Sequence, residues 1–295
     1  MSDVKPKVRT LPLPPTVLPP AATPEEARKR HAANRNAWNE VASGAYAKRM
    51  EDTISFLRSG QSDLHPIERE TLLRGSGGRP LRDWCRTAIH LQCASGRDTL
   101  SLWNEGVERV IGVDISEEHI ANARRVAEAV GAAAEWYCCD VLDTPSQLDG
   151  TADLVYTGQG ALNWLHDLDA WAAVIARLLK PGGAIHVLDD HPATILFDTD
   201  AEEPRYSGLH YFRYSESSQG WGDNYVGAFM PAEKQSRKYE RVWTISEVVN
   251  ALIGAGLKIE YVGEHAEGYW DSFPNLRPEM KGRLPLSFSV LARKL

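Results

Sequence analysis

The chain reads as an α/β protein whose sheet is mostly parallel and covered by helices on both faces, and three observations point there. The segment Thr87 to Asp114, TAIHLQCASGRDTLSLWNEGVERVIGVD, runs as a buried strand, a tight turn at Gly96, a short helix and a second strand that ends on an acid. Further apolar strands alternate with helical segments over 97–105, 116–130 and 167–179, closed in turn by Gly106, Gly131 and Pro181-Gly182. Finally, 295 residues with 43% hydrophobic content suffice to bury a complete core.

Taken in order, residues 1–23 are interrupted by proline so often that a disordered or polyproline II tail is expected, with no apolar core of signal-peptide type. Thr23-Pro24-Glu25-Glu26 reads as a capping box with proline at the first helical position, so a helix begins there and should stop at Ser43-Gly44. Residues 24–84 then form a helical cap, and 85–190 a nucleotide-binding core. From 191 to 243 the alternation lapses into an aromatic, polar stretch too long for an ordinary connection. A second capping box, Thr244-Ile245-Ser246-Glu247, opens a helix to Gly254, and the strands LKIEYVGEH and LSFSVLARKL complete a single domain over 24–295.

A turn leaving a parallel strand puts backbone N–H groups and a helix N-terminus at the crevice mouth, where they favour an anionic group. Asp114 closes the next strand on the same crevice, where its two oxygens can accept hydrogen bonds from both ribose hydroxyls. The alternative is a turn or N-cap role, although Ser116 fills the cap equally well. Asp140, after another apolar strand, could take the exocyclic amine of an adenine while Val141 packs on its ring. A dinucleotide fold wants three glycines in the first turn, yet in Gln92-Cys93-Ala94-Ser95-Gly96 only Gly96 is present.

Acid after the second core strand, acid after the third, D-L-V-Y in the fourth and L-L-K-P-G-G before the fifth together resemble the class I S-adenosylmethionine-dependent methyltransferases, closely over about 85 to 192 and loosely elsewhere. His90 to Ser101 matches H-L-Q-C-x-x-G-x-D-T-L-S, a form met in a bacterial subset of that family. The resemblance implies a Rossmann-like, seven-stranded sheet with an antiparallel last strand, and S-adenosylmethionine as cofactor. Its contacts are then expected from Tyr46, Gln92, Cys93, Gly96, Asp114, Ile115, Asp140, Val141 and Thr157, with Ala94 held at negative φ where the family has glycine. Tyr46 enters because Asn34 to Tyr46 resembles the segment before the core in small-molecule methyltransferases.

Methyl transfer asks mainly for alignment and sometimes for removal of a proton. His191, after HVLDD, is the candidate base, with a fixed turn histidine before Pro192 as the other reading. Asp189 and Asp190 are alternatives, and could instead hold a cationic amine beside aromatic rings. The insertion is a candidate lid after the fifth strand. Acceptor contacts are expected from Trp164, Tyr206, Tyr211 and Trp221, unless its aromatics only pack the insertion or form a homodimer contact.

The net charge of −7 and the lack of clustered Lys and Arg argue against a nucleic-acid partner, as does Thr157-Gly158-Gln159-Gly160 where adenine-N6 methyltransferases carry an Asn/Asp-Pro-Pro-Tyr/Phe motif. No apolar run is long enough to span a membrane. Cys85, Cys93, Cys138 and Cys139 contain no C-x-x-C pair, and three fall in expected buried strands, so reduced thiols in a cytoplasmic protein without a metal are expected. The expected activity is O- or N-methylation of a small-molecule acceptor. A cofactor-binding sensor and a protein methyltransferase remain alternatives, whereas an NAD-dependent dehydrogenase would give no reason for Asp140.

Overall fold

The computed structural model describes residues 14–295 and departs at once from the expected loose tail, whose residues 1–13 lie outside the described residues. Thr16–Val17 (β1) pairs antiparallel with a strand of the insertion. The flanking prolines keep this dipeptide extended and confine it to a sheet edge.

Helix α1 (Pro24–Val41) is capped by Thr23, whose hydroxyl accepts the Glu26 N–H at 3.2 Å, while the Glu26 carboxylate reaches the Ala22 N–H at 2.9 Å rather than closing a reciprocal box. Ser43-Gly44 does not stop the helical path. A π-helical turn over Ala42–Tyr46 carries it on and delivers Tyr46 to the core. Two further helices, α2 (Met50–Arg58) and α3 (Pro66–Gly75), complete the cap.

The core alternates as expected: β2 (Thr87–Leu91), α4 (Arg97–Asn104), β3 (Arg109–Asp114), α5 (Glu117–Val130), β4 (Ala134–Cys138), β5 (Ala152–Gly158), α6 (Leu168–Leu178) and β6 (Leu179–Asp190). The insertion supplies β7 (Ser215–Gln219) and β8 (Arg237–Arg241), and the chain ends in α7 (Ile245–Gly254), β9 (Leu257–His265) and β10 (Ser287–Lys294). The main sheet has seven strands in the order β4-β3-β2-β5-β6-β10-β9, with β10 antiparallel to both neighbours. The chain leaves β2 toward one edge and returns on its other side at β5, which opens a crevice at their carboxyl ends. Beneath it, Ile89, Ile111, Trp171, Ile175 and Val187 form part of one fully buried core.

The insertion is itself a small sheet, β1-β7-β8, and not a simple flap. Two cysteines, Cys85 and Cys93, are buried, but Cys138 is exposed because β4 is the sheet edge, and all four thiols are free. Among the described residues no helix is long and apolar enough to cross a membrane.

The turn after β2 also corrects the expectation for Ala94. Gln92 and Ala94 both take positive φ, 60° and 45°. The Ala94 N–H donates to Asp114 Oδ2 at 2.8 Å, which holds the strained conformation. Ala94→Gly should therefore stabilise the protein by roughly 0.5–1 kcal/mol once glycine's extra freedom in the unfolded chain is subtracted, or about 2 °C in thermal midpoint. A lower midpoint would show that the Ala94 methyl contributes packing that outweighs the strain.

Candidate active site

The crevice is a cleft of about 810 Å³ of atom-free space, and Tyr46, Gln92, Asp114, Ile115, Asp140, Val141 and Trp164 all line it. Cys93 and Thr157 are buried and do not line it. Gly96 stays off the lining too, and its role is packing: it has φ +82°, and a Cβ there would stand 2.5 Å from the Trp136 ring.

Asp114 accepts the Ala94 N–H through Oδ2 at 2.8 Å and the Ser116 N–H through Oδ1 at 2.9 Å. Burial pushes its carboxyl up to about 6, against the N–H groups of Ser116, Ala94 and Ile115, which favour the charge. Ser116 caps α5 by accepting the His119 N–H, so Asp114 is left to face the cleft. Of the four non-glycine residues at positive φ among the described residues, three, Gln92, Ala94 and Gln159, line this one cleft.

Asp140 is more engaged than the sequence suggested. It accepts from His31 Nδ1 at 2.8 Å, Arg28 at 2.9 Å and the Leu142 N–H at 3.0 Å. Burial works to raise its carboxyl, but the hydrogen bond and charge of His31, with Arg28, outweigh it and hold the group below the usual carboxylate value. His31, Asn34 and Trp38 from α1, His119 from α5, Tyr225 from the insertion and Trp270 complete the lining. Asn34 and Trp38 lie in the segment whose resemblance pointed to Tyr46, while no motif marked His31, His119 or Trp270.

Behind the cleft lies a pair of buried acids. Glu68 accepts the Tyr156 hydroxyl at 2.6 Å and the His65 N–H at 2.7 Å, and burial pushes it up to about 7. Asp98 Oδ1 is buried with no hydrogen-bond partner among the described residues; burial, then the charges of Asp63 and Glu68, raise it to about 8. Two groups tie this pair to the cleft lining: Gln159, which donates to the Tyr156 hydroxyl at 3.2 Å, and Tyr46, on which the Asp98 charge acts.

A second cavity, with about 1500 Å³ of atom-free space, lies under the insertion and is lined by Asp190, Phe197, Tyr206, Tyr214, Arg241 and Trp243 among others. The two linings come close at Gly160, on the cleft side. A Cβ there would stand 3.7 Å from both Asp190 Oδ2, of the second cavity's lining, and Trp270 Nε1, of the cleft's.

The three residues at the end of β6 have different fates. Both Asp189 oxygens are occupied, by the N–H groups of Gly160, Ala161, Leu162 and Asp190 at 2.7–3.1 Å. His191 accepts the Ala193 N–H through Nδ1 at 3.1 Å and lies 2.8 Å from Glu264 through Nε2, so it caps the turn Pro192–Leu196 with both ring nitrogens engaged. The geometry thus gives His191 the turn role that the sequence left as the other reading. Only the Asp190 carboxylate has no hydrogen-bond partner among the described residues, and burial followed by the Asp189 charge raises it. Of the expected acceptor contacts, Tyr206 lines the second cavity, Trp221 is buried against Trp38, Trp164 and Tyr225, and Tyr211 lies outside both spaces against Phe212.

Residues 88–183 match the family model described as a methyltransferase domain. That match supports an S-adenosylmethionine-dependent methyltransferase, the kind of enzyme the motifs resemble. The fold is shared with solved structures. An S-adenosylmethionine-dependent methyltransferase of Mesorhizobium loti superposes with a TM-score of 0.52 at 24% identity, covering 75% of this chain and 96% of that one. One from Clostridium acetobutylicum gives 0.54 at 14% identity, covering 84% and 98%. The geranyl diphosphate C-methyltransferase of Streptomyces coelicolor, solved with Mg2+, geranyl-S-thiolodiphosphate and S-adenosyl-L-homocysteine, gives 0.52 at 16% identity, covering 78% and 76%.

Asp114→Asn should weaken S-adenosylhomocysteine binding about tenfold or more in calorimetry, because a charge-assisted acceptor is lost. The wild-type affinity should fall as pH drops through about 6, where Asp114 takes up a proton. Affinity indifferent to both changes would remove Asp114 from the ribose role.

Glu68 and Asp98 give a second test. Their folded values of about 7 and 8 exceed the ordinary values of 4.5 and 3.8 for Glu and Asp, so the native state binds more protons across that window and these groups make stability fall as pH rises through it. Thermal melts between pH 5 and 8.5 should show this slope, flattened in Glu68→Gln and Asp98→Asn. An unchanged slope in both variants would place its origin elsewhere.

Proposed function

We propose that the protein methylates a small-molecule acceptor, with S-adenosylmethionine in the cleft and the acceptor in the second cavity. The observation that carries this reading is the position of Asp190, an unpartnered carboxylate on the second cavity's lining and close to Gly160 of the cleft's. The cleft fits the cofactor by its donor set. Asp114 would take the ribose hydroxyls, and Ile115, Val141 and Leu165 would enclose the base. His31 and the saturated Asp140 would sit at its polar edge, and the orphaned Asp98 with Glu68 offers negative charge toward an ammonium. When bound, the cofactor supplies an electrophilic methyl group on a sulfonium.

The chain's own part is alignment and proton removal. Asp190 stands between the two linings with its oxygens uncommitted, and a half-buried carboxyl raised by desolvation accepts a proton more readily than an exposed one. Asp189 holds the Gly160–Leu162 backbone in place, and so shapes the wall between donor and acceptor. The insertion lines the second cavity with Tyr206, Tyr214 and Trp243, Tyr206 standing exposed at its rim. A concave, aromatic-lined space of this kind favours a small acceptor over a protein chain.

Incubating the protein with methyl-labelled S-adenosylmethionine and a cell extract, then tracing label into small molecules, tests the reaction class. Label found only in protein would sink the small-molecule reading. With an acceptor in hand, Asp190→Asn should lower kcat by roughly 10²–10⁴ with S-adenosylhomocysteine affinity within a few-fold, whereas His191→Asn should lower the thermal midpoint and leave kcat within a few-fold. The reverse pattern would return the proton-accepting role to His191.

A further inference from the structure

Resting on that reading of the second cavity, we propose that the acceptor is a primary or secondary amine on an apolar, ring-sized body, bound as its ammonium ion by Asp190. The charges around the cavity are nearly all committed elsewhere. Arg241 donates to Glu247 at 3.0 Å and lies flat on Trp243 at 3.4 Å; Asp198 is paired with Arg205; Glu240 accepts from Asn163 at 2.9 Å; Glu216 accepts the Tyr214 hydroxyl. His191 is held by Glu264 and the Ala193 N–H. What remains is the Asp190 carboxylate, desolvated and facing walls that include Ile195, Phe197, Tyr206, Leu209 and Phe288. A half-buried anion with no hydrogen-bond partner is costly, and a ligand ammonium both neutralises it and supplies hydrogen-bond donors.

The same surroundings disfavour the competing chemistries. A carboxylate or diphosphate would face Asp190, Glu216 and Glu240 with only Arg241 in support, whose guanidinium is held by Glu247 and leaves Nε as its one buried donor without a partner among the described residues, so the acceptor class differs from that named for the Streptomyces coelicolor enzyme. An alcohol would need a base stronger than a carboxylate, and the nearby imidazole has both nitrogens engaged. For the ammonium the balance is direct. One N–H proton passes to Asp190, the freed nitrogen lone pair bonds to the methyl carbon, and the carbon–sulfur electron pair returns to sulfur. The methylated ammonium then leaves with its charge, and Asp190 releases its proton to solvent.

The test is made on the full chain saturated with S-adenosylhomocysteine, by calorimetric titration of tryptamine and 2-phenylethylamine beside tryptophol, 2-phenylethanol, indole-3-acetate and phenylacetate. At least one amine should bind about tenfold or more tighter than its alcohol and its acid, and Asp190→Asn should reduce that preference to about twofold while S-adenosylhomocysteine still binds. Amines no better than their alcohols, or a preference that survives Asp190→Asn, overturn the proposal. Failure of S-adenosylhomocysteine to bind the wild-type protein overturns instead the methyltransferase reading beneath it.

Discussion

The carboxylate of Asp114 is the constraint on which the cleft depends. It ties the turn after β2 to the start of α5, through the Ala94 and Ser116 N–H groups at 2.8 and 2.9 Å. A turn with two non-glycine residues at positive φ would relax without such a bond. Beneath the turn the indole of Trp136 fills the space that side chains at Gly96 and Gly112 would need, at 2.5 and 2.4 Å from their missing Cβ atoms. One anion above and one ring below therefore fix the backbone, and the turn needs neither of the extra glycines that a looser version would use.

Acids meet the same desolvation in three ways here, and hydrogen bonding decides which. Asp189 is satisfied by four backbone N–H groups and becomes part of the wall. Asp140 is satisfied by a guanidinium, an imidazole and an amide, and stays ionised. Asp190 and Asp98 lack such partners, so their protonated forms are favoured and their charge awaits something brought from outside. Unsatisfied buried groups mark functional positions better than residue type does, because a fold kept only for stability would have paired them.

This explains how much could be read from the sequence. The alternation of strands and helices and the place of Asp114 on the cleft were legible, because each follows from local periodicity and strand-end position, whereas the seven-stranded sheet and Ile115 came from the resemblance that the strand-end motifs carry. Ala94 was misjudged, since its φ is set by Asp114, twenty residues on. His191 looked like a free imidazole because its partner, Glu264, belongs to β9. His31 and Trp270 carry no local signal at all, and Trp38 stood out only through the segment that resembles the one before the core. The helix that brings His31 and Trp38 lies before the core in the chain and touches it only after folding.

That helix, α1, accounts for the architecture around the cleft. Arg28 and His31 bind Asp140, and Asn39 binds Ser116 and Glu117, all on the core. Asn34 exchanges hydrogen bonds with Tyr239, and Glu40 accepts the Ser236 N–H, both on the insertion. A single rigid element thus spans both halves, and the insertion cannot shift against the core without breaking polar contacts on one face of α1. The strand pairing of β1 with β7 adds a covalently linked tether on the same side. The walls of cleft and cavity are therefore positioned together, which is what a reaction controlled by the alignment of two separately bound molecules requires.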